Sequence, residues 1–434
     1  MLVGSRSMVR SIVFAALLPL TLAPRAMAQS PSRAPDANPA PAVDTLVERA
    51  LTRAPSLAAR RERVQAAQVA IRAADALPDP MVEIEYQSFN FPRYTIGSDP
   101  GSMVGASIRQ GLLSRGRRSA SRYVATAEAT RRAAEQRLTA ADVATEVRVQ
   151  YARLYAIDRE RDTLVDAAEL VRMLESTVTA RYATGGGDQA SVLRVQLEQT
   201  RIGQRVADLA AERRVVQAAV NRLTNDPPDA PIGRVAGLPP AALPGEAASV
   251  LDQTARSAPA VALGQAAVDL ASRQVDAARQ ELKPSWSVGG GIFWQGGLDR
   301  MVKFSVGVEL PFWKERKQLP LIAAAESERR AAQLELANTT IDVRAQAAGL
   351  LVEYQNAIDQ IERYQGALLP QNSAALDATR ASYLGGRGDF VSVLDEFRRW
   401  IDLRTELAGR EADRFSAQAR LAALLGAPAT GQPQ

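Results

Sequence analysis

The 434 residues include no histidine and no cysteine. That removes serine–histidine–aspartate catalysis, thiol nucleophiles, histidine or cysteine zinc sites and every disulfide. Carboxylates are what remains for chemistry. Glu83 and Glu85 stand two apart in MVEIEYQ (81–87), the spacing that would offer a pair of acids. They alternate with Val82, Ile84 and Tyr86, however, so they read as the polar side of a strand. Met81, Met103 and Met301 lie at strand ends. They are soft ligands that could ring a copper or silver ion, but apolar packing accounts for them more simply. The triple glycines 185–187 and 289–291 lack the Lys-Ser/Thr of a phosphate loop. No catalytic residue, cofactor or metal site is expected, and the chain does not read as an enzyme; an exported hydrolase is the least favoured alternative.

The most specific pattern is a repeated turn. RYATGGGDQASVL (181–193) returns as ASYLGGRGDFVSVL (381–394), placing Tyr182, Gly185 and Asp188 opposite Tyr383, Gly386 and Asp389. Gly185 and Gly386 suit a left-handed position just past a helix end. Asp188 and Asp389 suit the N-cap of the next helix. The triplet Arg387-Gly388-Asp389 is explained by that turn rather than by cell adhesion.

Long helices must carry these turns. The stretches 114–182 and 315–383 are rich in Ala, Arg, Glu, Gln and Leu. Val143, Val147, Tyr151 and Leu154, then Leu174, Val178 and Tyr182, form an apolar stripe at helical spacing. A helix over 114–182 would be roughly 100 Å long at 1.5 Å per residue, the scale of a coiled-coil assembly. Pro320 and Pro370 predict kinked or displaced ends for the second stretch. Shorter helices are expected near 43–77, 188–223, 247–282 and 389–425. AEATRRAAEQRL (127–138) matches AESERRAAQLEL (325–336), and Ala54-Pro55 and Pro80 match Ala258-Pro259 and Pro284. The chain is therefore a tandem duplication.

Each repeat also carries two period-2 segments: MVEIEYQ (81–87), MVGASIRQ (103–110), WSVGGGIFW (286–294) and VKFSVGVEL (302–310). Val82, Ile84, Tyr86, Trp286, Ile292, Trp294, Phe304 and Val306 fall on one face. Glu83, Glu85, Arg109, Lys303 and Glu309 fall on the other. That alternation suits membrane β-strands with the charged residues lining a lumen, where carboxylates would favour cations. Four strands cannot close a barrel and open edges are not tolerated in hydrocarbon, so several copies of the chain must share one.

At the N-terminus, Arg6 and Arg10 precede the apolar SIVFAALLPLTLA and a small-residue site at Ala26-Met27-Ala28, predicting a secretory signal peptide over 1–28. The expected organisation continues with a Pro-rich linker (29–42), a first repeat (43–224), an inter-repeat linker (225–246), a second repeat (247–426) and a tail (427–434). Lipid anchoring through cysteine is excluded. The formal charge of +5 is spread among interleaved acids and arginines, which argues against a nucleic-acid partner.

In this order of elements, with the Tyr-x-x-Gly turns, LPDP (77–80) and LPF (310–312), the sequence resembles the TolC-like outer-membrane efflux factors over residues 43–426. The resemblance implies a mainly α protomer with membrane β: a two-repeat helical tunnel, with four strands given to a 12-stranded barrel shared by a homotrimer. It also implies location in the outer membrane with a periplasmic extension, contact with outer-membrane lipid, and partnership with a periplasmic adaptor and an inner-membrane pump. The adaptor-docking tips would be Tyr182, Gly185, Asp188, Tyr383, Gly386 and Asp389. Asp395 matches one position of an acidic periplasmic gate; the other matching position is Ser392, whose first-repeat counterpart is Ser191, so the acidic gate is only partly present. The resemblance leans toward the heavy-metal branch; a drug-efflux or type I secretion duct of the same fold is the alternative. From another class, the alternative is a periplasmic coiled-coil scaffold without a channel.

Overall fold

The computed structural model describes residues 39–88, 101–240, 247–296 and 299–426. The expected signal peptide, most of the Pro-rich linker, residues 241–246 of the inter-repeat linker and the tail from 427 lie outside them.

The first repeat runs α1 (Val43–Arg53), α2 (Pro55–Ala74), β1 (Met81–Gln87), β2 (Met103–Leu112), α3 (Arg115–Ala183) and α4 (Gln189–Thr224). The second runs α5 (Ala247–Ser257), α6 (Pro259–Gln280), β3 (Ser285–Trp294), β4 (Met301–Glu309), α7 (Gln318–Arg363), a π-turn (Tyr364–Leu368), α8 (Leu369–Leu384) and α9 (Phe390–Leu424). Two expectations need correction. The helices anticipated at 43–77 and 247–282 are each divided at an Ala-Pro step. Proline's ring disfavours the α region for its predecessor, and Ala54 (ψ 121°) and Ala258 (ψ 134°) take extended conformations instead.

Pro320 sits in the first turn of α7, where helix amides have no intrahelical acceptor. Pro370, deep in the second long stretch, does not end it. The missing N–H and the ring clash are taken up by the wider π-turn just before it, so α7 passes into α8. The first-repeat equivalent, α3, is unbroken over 69 residues.

The α3 stripe is the spine of the main core. Val147, Leu154, Val171 and Val178 are fully buried against Leu46 and Val47 of α1, Val195 and Leu209 of α4, and Val393 and Phe397 of α9. The stripe stops one turn early: Tyr182 is 47% exposed. Asp158 of α3 is buried and accepts from Arg213 Nε (2.8 Å) and the Val235 amide (2.9 Å). Arg213 also donates to the carbonyls of Ile232 and Gly233, tying the inter-repeat segment to α3 and α4.

β1 to β4 form one antiparallel sheet in chain order, leaving β1 and β4 as edges. Register aligns Val82, Ile108, Gly290 and Phe304 in one cross-strand row and Ile84, Ala106, Ile292 and Val302 in the next. Among the described residues, no helix is long and apolar enough to cross a membrane.

Candidate functional site

The two glycine turns close by the same bonds. Gly185 (φ 76°) and Gly386 (φ 73°) are left-handed. Gly186 N–H donates to Arg181 O (2.9 Å) and Arg387 N–H to Ser382 O (3.0 Å), while Gly185 and Gly386 donate to the carbonyls of Tyr182 and Tyr383. These are Schellman closures that satisfy carbonyls at the helix ends. Asp188 caps α4 by accepting from Ser191 N–H (3.1 Å), and Asp389 caps α9 by accepting from Ser392 N–H (2.9 Å). Hydrogen bonding from Ser191 and Ser392, by side chain first and backbone second, holds both carboxyls below their ordinary range.

The repeat breaks down at the tyrosines. Tyr383 is buried, its ring 5.6 Å from that of Phe390, whereas Tyr182 is exposed. Arg181 lays its guanidinium 4.6 Å from the Tyr383 ring centre and donates to the Tyr383 carbonyl, bracing one tip against the other. Phe390 stands where the first repeat has Gln189, so only the second tip has its own aromatic plug. Nearby, Leu193 (57% exposed), Leu197 and Leu384 present apolar side chains to solvent.

Asp395 lies on the first turns of α9, exposed, 3.7 Å from Arg398. Arg398 in turn donates to Glu198 of α4 through Nε (3.0 Å) and Nη2 (2.7 Å), and Glu198 is buried. The candidate gate carboxylate is thus one end of an Asp395–Arg398–Glu198 chain that clasps α9 to α4. Bonding to Glu198 raises the Arg398 pKa further. One turn on, burial and then the charges of Glu406 and Glu198 push the Asp402 carboxyl up. Asn372 donates to Glu396 (3.0 Å) and Tyr364 to Glu406 (2.5 Å), fastening α8 and the π-turn to α9. Arg181, Glu198 and Arg398 were not singled out in the sequence. Their partners are about 200 residues away, and only the repeat offset hints at the pairing.

On the sheet, Glu83, Glu85, Arg109 and Lys303 share one face and are paired there: Arg109 with Glu83 (3.1 Å), Lys303 with Glu85 (3.4 Å). Two of the three carboxylates expected to favour cations are therefore ion-paired, and the face keeps one net negative charge. Glu309, at the helix-side rim, accepts from Ser285 (3.0 Å). This face is crowded. A Cβ at Gly105 would fall 2.3 Å from Phe293 Cδ1, and one at Gly307 2.6 Å from Ser287 Oγ. Phe293, not singled out in the sequence, is 1% exposed on this polar side. The opposite face is apolar and uncovered, with Ile84 83%, Phe304 86% and Val306 72% exposed. The methionines are not brought into a ring. Met81 is at the helix-side end of the sheet, and Met103 and Met301 are at the other, with β3 between them.

Helical hairpins thus carry an open sheet with one bare apolar face. Residues 250–427 match the family model described as Outer membrane efflux protein, so the family resemblance read from the sequence holds. The fold is shared with solved outer-membrane channels. VceC of Vibrio cholerae is 19% identical with TM-score 0.75, covering 88% of this chain and 96% of that one. CmeC of Campylobacter jejuni is 12% identical with TM-score 0.75, covering 94% of each. CusC, solved in connection with transmembrane channel formation, is 20% identical with TM-score 0.76, covering 89% and 92%. No curated protein sequence matches the chain.

Proposed function

We propose that the protein is the outer-membrane exit duct of a tripartite efflux pump. The observation that carries this reading is the sheet: its β1 and β4 edges are unpaired and one whole face is exposed and apolar. Backbone edges left open in hydrocarbon cost several kcal/mol per unsatisfied group, so the strands must be completed by other copies. Three copies give 12 strands, as the resemblance implies. The helices support the same assembly: Leu334, Ile341 and Val352 of α7 are each at least 65% exposed, at spacings of 7 and 11 that keep them on one helix face.

In this reading the paired tips dock a periplasmic adaptor, with Leu193, Leu197 and Leu384 as its apolar contacts, and the adaptor joins an inner-membrane pump. The Glu198–Arg398 clasp holds the second hairpin inward, and Asp395 narrows the entrance. Glu83, Glu85, Arg109 and Lys303 face the barrel lumen, with Glu309 at its helix-side rim. Heavy-metal cations stay the cargo toward which LPDP leans. The wall itself supplies no cation trap, which leaves selection to the pump and adaptor.

The test is single-channel conductance of the detergent-extracted full chain in a planar bilayer, with Asp395→Ala alongside. Discrete steps are expected, larger in the variant. Protein that stays in the aqueous fraction and never inserts would instead make it a periplasmic scaffold.

A further inference from the structure

The junction between strands and helices carries a surface that neither conduction nor adaptor docking requires. After β4 the chain reads LPFWKERK (310–317). Phe312 is 80% exposed and Trp313 71%. Leu310 continues the outward alternation of Val306 and Val308, so these rings extend the apolar sheet face at its helix-side end. Beside them runs a groove of about 190 Å³. Its apolar wall is Leu310, Phe312, Trp313 and Leu321; its cationic wall is Arg117, Lys283 and Lys317.

Arg117 is held in place by Glu281 (3.1 Å) and by the carbonyls of Glu281 and Lys283. Its Nε is nevertheless buried with no acceptor among the described residues, and Gln318 Oε1 on the groove wall is buried with no donor. The groove's two carboxylates are already engaged, Glu281 by Arg117 and Glu309 by Ser285. Lys314 and Arg316, with Glu315 between them, add one net positive charge alongside.

We infer that this groove binds an anionic glycerophospholipid of the periplasmic leaflet. The phosphodiester lies against Arg117, Lys283 and Lys317, and the acyl chains run over Phe312 and Trp313 onto the outer face of β4. The inference rests on the outer-membrane reading, which puts the helix-side rim at the periplasmic leaflet. A free phosphate would use only the cationic wall and leave the rings in water. A zwitterionic headgroup would bring its own ammonium among three cations. A lipid with a net negative head matches both walls, and aromatic–basic rims at membrane interfaces follow the same physics.

The test uses the full chain, as wild type and with Trp286→Phe plus Trp294→Phe so that Trp313 reports the groove. Tryptophan quenching is read in phosphatidylcholine bilayers containing brominated phosphatidylglycerol or, in parallel, brominated phosphatidylcholine. The expected result is stronger quenching by the anionic lipid, with Lys283→Gln plus Lys317→Gln lowering that preference by about fivefold per lysine. Equal quenching by both lipids, or a preference unchanged in the double variant, would overturn the site and leave the membrane reading standing. No quenching by either lipid would overturn the membrane reading itself. Inorganic phosphate that abolishes the preference at matched ionic strength would reassign the groove to free phosphate. A smaller oligomer for Phe312→Ser plus Trp313→Ser in detergent would make the surface a subunit contact instead.

Discussion

Replacing Glu198 by glutamine keeps its shape and removes its charge. In the native protein that carboxylate, 8% exposed, receives two N–H groups of Arg398 on one oxygen. Hydrogen bonds between charged groups contribute about 1.5–3 kcal/mol net. Arg398 is 37% exposed and regains some hydration once released, so the lower half of that range applies. A loss of about 2 kcal/mol per protomer shifts an equilibrium between clasped and parted α4 and α9 by roughly 30-fold. In planar bilayers, Glu198→Gln should raise open probability or conductance. The swapped pair Glu198→Arg with Arg398→Glu should restore much of the closed behaviour. If Asp395→Ala enlarges the conductance while Glu198→Gln leaves it unchanged, the entrance is narrowed by charge alone and the clasp holds nothing shut.

Other perturbations separate architecture from gating. Asp158→Ala strands Arg213 and the Val235 amide in a buried site and should lower stability by about 3 kcal/mol or more, read as a fall in the denaturation midpoint. Gly105→Ala puts a methyl group against Phe293 and the Ile292 carbonyl, so little heat-resistant oligomer should reach the membrane, whereas Gly203→Ala, with open space around it, should behave as wild type. Asp188 and Asp389 have depressed folded-state pKa values, so their capping is complete above the ordinary value of 3.8 and lost as pH falls below it. Protection of the Ser191 and Ser392 amides, taken relative to intrinsic exchange at each pH, should fall in that acid range and stay constant between pH 5 and 8. Leu193→Asp should block co-purification with the adaptor while leaving the conductance of the isolated channel intact.

Much of the architecture is written in local chemistry. Helix ends depend on contacts within a few residues, so the glycine and aspartate of each turn announce Schellman closures and N-caps without reference to anything distant. Period-2 alternation likewise announces each strand and its two faces, because side chains point alternately whatever lies across the sheet. Proline was only partly legible: the Ala54-Pro55 and Ala258-Pro259 breaks follow from sterics, yet Pro370 lies inside a stretch whose packing on α9 makes a π-turn cheaper than a stop.

By itself the sequence determined the duplicated order of elements, the absence of histidine and cysteine chemistry, and the count of four strands. What only tertiary structure decided is which equivalent residues cease to be equivalent. Tyr182 faces water and Tyr383 is enclosed because Arg181 and Phe390 reach the second tyrosine and have no counterparts around the first. Likewise, Glu198 meets Arg398, Glu83 meets Arg109 and Glu85 meets Lys303, each pair joining two different elements. Ion pairing is set by where helices and strands cross, and no local pattern records that distance.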